Sequence, residues 1–330
     1  MLRNYCIFIS AAGIAVIFWV ESISHIVASP RATGLVALTF SLVALFSGMV
    51  FERRTWCRYL CPLGSIAGFL SSCSVIELRS NYNICSENCM KHDCYAGNDK
   101  VAGCPLLQGP FSLRTNRDCV LCGNCVRACP NNSITLNLRL PGQELWASYQ
   151  IEKGAVIVCS IMLGSQLFRG LDQAGAFGTL ASSDIWWLLA ATAMLFLTLG
   201  VMTAASVIGK LVFPSGDKPG MITSRIIYSF IPLSFSFEIG YHLRSMFTLS
   251  GILPDVIHYH MFGNGDYAIR PVVSAGGIKT LQVIIMLIGF AGSVYVARRM
   301  SGGTSSMERF PIWPAFVLGV ILTGLFLAFK

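Results

Sequence analysis

Charge is scarce in this chain. Of its 330 residues, only 12% are Asp, Glu, Lys or Arg, whereas a soluble globular domain carries about 25%. So few charges cannot clothe a water-facing surface of this size, and an ordinary soluble enzyme is excluded. No nucleotide-binding glycine fingerprint, Walker motif or flavin motif is present either, which removes the common ways of cradling a phosphate-bearing cofactor. The formal net charge of +8 matters less than its distribution, described below, and no nucleic-acid partner is expected. What fills the space is apolar. Hydrophobic residues make up 54% of the chain, and the mean hydropathy is +0.63. There are also 13 cysteines, eight of them between Cys85 and Cys129. A cluster of that density in a long apolar chain points to metal ligation before disulfides.

Seven apolar runs approach the ~20 residues needed to cross a bilayer. They lie near Tyr5–Ala28, Gly34–Phe51, Gly154–Leu171, Ile185–Phe213, Arg225–Leu249, Ile278–Ala297 and Pro311–Phe329. The first could serve as a signal peptide. Its length, Glu21 and His25 within it, and the lack of a small-x-small cleavage site favour a retained span. Pro62–Ile76 is shorter and Gly/Ser-rich, and is expected to lie at the interface or re-enter. The pattern predicts an α-helical membrane protein of about seven transmembrane helices with an inserted α+β domain. Residues 1–79 form an N-terminal membrane segment, 80–150 the cysteine-rich domain, and 151–330 a C-terminal membrane domain with about five spans. With the N-terminus inside, 18 of the 24 Lys and Arg fall on the inner side, as the positive-inside rule requires. The expected location is the bacterial inner membrane, multi-pass, with the cysteine-rich domain cytoplasmic.

The strongest motif is Cys119-Val-Leu-Cys122-Gly-Asn-Cys125-Val-Arg-Ala-Cys129-Pro130. This is C-x2-C-x2-C-x3-C-P, the bacterial ferredoxin run for [4Fe–4S] clusters. Three thiolates two residues apart wrap one corner of a cubane, Gly123 lets the backbone come close, and the proline turns the chain away. A looser set precedes it: Cys85-x3-Cys89-x4-Cys94-x9-Cys104-Pro105. Its Cys-Pro ending marks a diverged copy. In two-cluster ferredoxins the fourth cysteine ligates the other cluster. The expected sets are therefore Cys85, Cys89, Cys94 and Cys129 for one cluster, and Cys104, Cys119, Cys122 and Cys125 for the second. A zinc site for the first set is the alternative, but such sites come as two short C-x2–4-C pairs, which Cys94-x9-Cys104 is not. Ser133–Leu140 alternates like a strand. His92, between Cys89 and Cys94, is expected to pack beside a cluster rather than ligate iron.

The segment Trp56-Cys57-Arg58-Tyr59-Leu60-Cys61-Pro62-Leu63-Gly64, directly after an apolar run and followed by Cys119 to Pro130, resembles the NapH/NosR/CcoG-type membrane polyferredoxins. The resemblance covers roughly residues 34–140. That group is associated with periplasmic nitrate reductase, nitrous-oxide reductase and cytochrome oxidase assembly. It implies electron transfer between membrane quinol and a partner, or redox support of cofactor assembly. Cys57 and Cys61 would share one face of a helix. They could bind a metal, act as a redox thiol pair or pass electrons toward the clusters. The plainer reading is two small residues at a turn before Pro62.

Ionisable groups inside a span are costly and tend to mark function. Two matched pairs stand out, Glu21 with His25 and Glu238 with His242, each one helical turn apart. At about 1.5 Å per residue the two histidines fall at similar depth in the outer half of the membrane. A quinol site, axial ligation of haem b, a two-His two-Glu metal site and simple helix packing all fit. His258-Tyr-His260 falls in what reads as an outer loop, where solvated polar residues are commoner than a metal site. The leading expectation is a membrane-bound electron carrier with two [4Fe–4S] clusters, exchanging electrons between the quinone pool and a redox partner protein in a membrane complex. An assembly factor for a respiratory metalloenzyme and an anchor subunit for a reductase are the alternatives. Whether the chain itself catalyses quinol oxidation stays open.

Overall fold

The computed structural model describes residues 12–17, 30–51, 56, 61–106, 108–113, 115–117, 119–147, 153–173, 175, 177, 184–212, 219–263 and 273–301. The chain divides into two compact units. One comprises Met1–Ser165 and Thr179–Gly200, the other Gln166–Gly178 and Val201–Lys330.

In the first unit, α1 (Pro30–Val50) is apolar along its length. Hydroxyls within it turn back onto its own carbonyls, Thr39 onto Leu35 and Ser41 onto Ala37, both at 2.8 Å, which satisfies them without water, and the exposed Arg31 stands at its start. Helix α2 (Pro62–Leu70) starts on a proline, whose fixed φ and missing N–H suit a first helical position. It runs into a 3-10 turn at Ser71–Cys73. Strand β1 (Ile76–Ser80) then pairs antiparallel with β2 (Ile134–Leu138), Ile76 opposite Leu138 and Ser80 opposite Ile134. The pair brackets both cysteine sets, with three short helices between: α3 (Tyr82–Asn88), α4 (Asp93–Ala96) and α5 (Asn124–Ala128). Helix α6 (Gln143–Ala147) follows.

The strand expected at Ser133–Leu140 is present, but its alternation does not mark a buried face, since Leu136 and Leu138 are 58% and 85% exposed. Its partner β1 crosses the boundary at residue 79, with Ile76, Glu77, Leu78 and Arg79 on the side assigned to the N-terminal membrane segment. The small core consists of Leu78, Ile134, Cys94 and Cys125, with Phe111 and Leu113 packed against it. Two of its four buried members are cysteines, so this core is built around thiols rather than aliphatic bulk.

The remaining helices are α7 (Lys153–Gln173), α8 (Asp184–Val212), α9 (Pro219–Ser229), α10 (Ile231–Leu249), α11 (Leu253–Phe262) and α12 (Ala275–Ser301). Five of the seven expected spans thus coincide with helices. The runs near Tyr5–Ala28, apart from helical residues 12–17, and Pro311–Phe329 lie outside the described residues. Among the described residues, two helices are long and apolar enough to cross a membrane: Arg31–Val50 with mean hydropathy 2.0 and Ala275–Met300 with 1.9. Only 6% and 28% of their apolar windows are buried.

Within the second unit, the expected span at Arg225–Leu249 is broken at Phe230. Pro232 cannot donate to the preceding turn, and Leu233 N–H is taken instead by Ser293 Oγ of α12 at 3.1 Å. Gln282 Nε2 of α12 donates to Gly240 O at 2.8 Å. Side chains of α12 therefore satisfy backbone groups of α10.

Candidate iron–sulfur centre

Each cysteine of the first set is fixed by local backbone chemistry. Asn81 caps α3, its side-chain oxygen accepting Asn83 N–H at 3.2 Å, and the helix carries Cys85 and ends at Cys89. Cys94 sits in α4, behind His92, whose φ of 50° is left-handed. His92 packs on Phe111 with ring centroids 4.5 Å apart, and its Nδ1 lies 3.7 Å from Cys89 Sγ, beside the thiols as expected. Cys85 Sγ is 3.1 Å from Ser133 Oγ. Asn131 reaches from the Cys129 turn to Asn88 O at 3.2 Å, holding Cys129 near the end of α3.

The second set is held by two turns. Cys104 follows Gly103, where an added Cβ would sit 2.2 Å from Tyr95 O, so only glycine lets the chain return past α4. Cys104 N–H then bonds Tyr95 O at 3.2 Å. In the C-x2-C-x2-C loop, Leu121 and Gly123 are both left-handed, φ 50° and 76°. This curl turns Leu121 N–H onto Cys119 Sγ at 3.4 Å. Open space surrounds Gly123, so glycine is needed there for its φ rather than for a close approach.

Cys104, Cys119, Cys122 and Cys125 all line one cavity, together with Leu78 and Gln108. Gln108 Nε2 is buried there and finds no acceptor among the described residues. An unmet buried donor costs about 1–3 kcal/mol, so the site calls for an acceptor inside it. Burial pushes the Cys125 thiol up to about 11, with Cys119, Cys122 and Cys104 adding to the effect. Cys119 is raised by burial and, among thiols, by Cys104 and Cys122. In the other set, burial followed by Cys89, Cys129 and Cys85 raises Cys94 to about 11. Beyond burial, the thiols that raise Cys94 are Cys89, Cys129 and Cys85, and those that raise Cys125 are Cys119, Cys122 and Cys104. Burial thus makes Cys94, Cys119 and Cys125 harder to ionise than an ordinary thiol. A tetrahedral zinc would need its sulfurs about 3.8 Å apart, from Zn–S bonds of about 2.3 Å. No three His, Cys, Asp or Glu side chains gather closely enough for a single metal ion among the described residues. Four thiols round one cavity with an unanswered donor fit a cubane, in which each iron would take one thiolate.

A buried polar network ties the second set to the sheet and to the 3-10 turn. Arg139 donates from Nε to Ser74 O at 2.8 Å, from one terminal nitrogen to Ser71 O at 3.1 Å, and from the other to Glu144 at 2.6 Å and Glu77 at 3.3 Å. Glu144 accepts Asn116 N–H at 3.0 Å, and Asn116 O accepts Cys119 N–H at 2.9 Å.

Two models of 4Fe–4S binding domains match the chain, at residues 33–79 and 116–135. The second spans the C-x2-C-x2-C-x3-C-P run. Those two segments are therefore similar to 4Fe–4S binding domains. The chain's resemblance to the NapH-type polyferredoxins holds. It is similar to the ferredoxin-type protein NapH of Escherichia coli (strain K12), 34% identical over 107 residues, which is 31% of this chain and 36% of that protein. The putative electron transport protein YccM of the same organism is 34% identical over 110 residues, 32% of this chain and 28% of YccM. NapH of Haemophilus influenzae is 28% identical over 141 residues, 39% and 46% of the two chains. The matched stretch thus spans between about a quarter and a half of these relatives. No solved structure matches.

The other expected site residues are placed unevenly. Cys57, Glu21 and His25 lie outside the described residues. Cys61 N–H donates to Trp56 O, five residues back, at 2.9 Å. Its sulfur accepts Gly64 N–H at 3.4 Å, capping α2. Glu238 and His242 meet on α10, Nε2 to Oε2 at 3.6 Å. Glu238 is also bound by Arg169 and accepts Gln166 Nε2 at 3.0 Å. The spacing missed Arg169 and Gln166, although an arginine inside the apolar run Gly154–Leu171 is itself a sign that a partner exists. Arg169 also lies over the Tyr241 ring, 4.7 Å from its centroid. His258 and His260 are on α11 rather than in a loop, because Gly263 at φ 73° ends a helix there. Residues two apart on a helix point away from each other, so this pair does not chelate.

Proposed function

We propose that this chain is a membrane-bound electron carrier in which Cys85, Cys89, Cys94 and Cys129 hold one [4Fe–4S] cluster and Cys104, Cys119, Cys122 and Cys125 hold another. The single observation that carries the reading is the cavity lined by all four cysteines of the second set. A cluster of this kind supplies one-electron storage. The chain's own part is to fix the thiolates, to turn N–H groups such as that of Leu121 onto sulfur, and to keep water out with Leu78, Phe111 and Ile134. The printed names of the relatives, two ferredoxin-type proteins and a putative electron transport protein, support electron transfer.

Around this core the reading extends to about seven spans, a cytoplasmic ferredoxin, exchange with the quinone pool and a redox partner protein in a membrane complex. The exposed flanks of α1 and α12 support the membrane setting. For the pair on α10, engagement of Glu238 by Arg169 and Gln166 weighs against a metal site, since that carboxylate already has its counter-charge. His242, with its side chain 59% exposed, is the group left to meet a quinol hydroxyl, with Glu238 anchoring it. Haem b at His242 is the second reading for this position. Cys61, beside Cys57 in sequence, serves at least as a helix cap.

Anaerobic membranes containing the chain test the function directly. Added quinol should reduce the clusters, read as loss of visible absorbance and appearance of the reduced-cluster EPR signal. Clusters that respond to dithionite but never to quinol would refute quinol exchange. A reduced b-type Soret band would replace the quinol role of His242 with haem ligation.

A further inference from the structure

We infer that Gln108 donates its side-chain N–H to sulfur of the cluster held by Cys104, Cys119, Cys122 and Cys125, and that this bond raises the reduction potential of that cluster alone. The inference rests on the two-cluster reading and adds a residue that no cysteine spacing reveals.

Gln108 lies on the loop between Cys104 and the 3-10 turn at Pro110–Ser112. Its Nε2 is buried and has no acceptor among the described residues, yet its side chain lines the cavity that the four thiols share. The other walls are Leu78, Pro105, Leu106, Pro110, Leu113 and Val120 with Gly123. Apart from the cysteines, none of those side chains carries a hydrogen-bond acceptor, so a cluster seated among the four thiols would bring sulfur to the amide. A donor aimed at cluster sulfur favours the more negative, reduced state and so raises the potential. In an apolar cavity the electrostatic effect is stronger than in water. The first set has different neighbours, Ser133 Oγ at Cys85 and His92 Nδ1 at Cys89. Removing the Gln108 amide should therefore separate the two clusters.

The experiment is an EPR-monitored redox titration of the full chain, purified without oxygen, with iron and sulfide measured on each sample. Gln108→Leu should leave the iron content unchanged and lower one of two one-electron waves. The expected shift is roughly tenfold in the reduction equilibrium, about 59 mV, with the other wave unmoved. Gln108→Glu, of the same size but without the N–H, should move the same wave further down. Potentials equal to wild type in both variants, or two waves moving together, would overturn the inference. If either variant loses iron, the wild-type chain labelled with 15N-glutamine decides by pulsed EPR. A nitrogen coupling to one reduced cluster supports the bond, and none overturns it. A wild-type chain without iron is a different failure, that of the cluster reading itself.

Discussion

Arg139→Met removes the hub of the network beneath the second cysteine set. The Arg139 and Glu144 side chains are only 3% and 7% exposed, so their ion pair is a buried one. Breaking such a pair by removing one partner costs about 3–5 kcal/mol, because the other charge stays buried. Arg79 remains 3.6 Å from Glu144 and offsets part of this, which places the cost near the lower end, about 3 kcal/mol. In a module of 60–100 residues each kcal/mol shifts the melting midpoint by about 4–8 °C. Arg139→Met should thus lower the temperature at which visible cluster absorbance is lost by more than about 10 °C. Adding Glu144→Gln removes the stranded charge. The double variant should then be less destabilised than the sum of the singles, by about 2 kcal/mol. An Arg139→Met protein that melts with wild type, or two costs that simply add, would refute the reasoning.

Crossed ligation makes Cys129→Ala and Cys85→Ala leave the same remaining cluster, by EPR, and Cys104→Ala the other one; identical spectra for Cys129→Ala and Cys125→Ala would contradict it. Gly123→Ala places a Cβ in open space but at φ 76°, so the cost is backbone strain alone, about 1–2 kcal/mol, read as a lower cluster-loss temperature. After chelators strip the iron, Cys94 and Cys125, both raised to about 11, should carry about 100-fold less thiolate at pH 8 than an ordinary thiol of pKa 9 and alkylate correspondingly slowly. The folded apo form holds these protons more tightly than the unfolded chain. Its stability contribution is therefore full below pH 9 and is lost as pH rises toward 11, measurable as a falling melting temperature over that window.

The run Cys119 to Pro130 was legible because its spacing is that of a 4Fe–4S binding domain, which a family model matches there, whereas the spacing from Cys85 to Cys104 is looser. The helices were legible because apolar runs of bilayer length have few other uses. Strand β1 was not, since Ile76–Ser80 is short and merges with the apolar stretch before it; only pairing with β2 defines it. Arg139, Glu144 and Asn116 act through contacts between residues far apart in sequence, which no local pattern encodes. Gln108 was invisible for a further reason. Its amide stands out only because it is buried beside the four thiols with no acceptor among the described residues. Arg169 and Glu238 are 69 positions apart, and each carried a signal as an ionisable group within an apolar run, yet only the packed helices join them.

Iron and acid-labile sulfide analysis of the chain purified without oxygen tests the central claim most directly. Two cubanes require about eight irons and eight sulfides per chain. A preparation that keeps its helices but holds neither, or one in which Cys104, Cys119, Cys122 and Cys125 are joined as disulfides, would contradict the account.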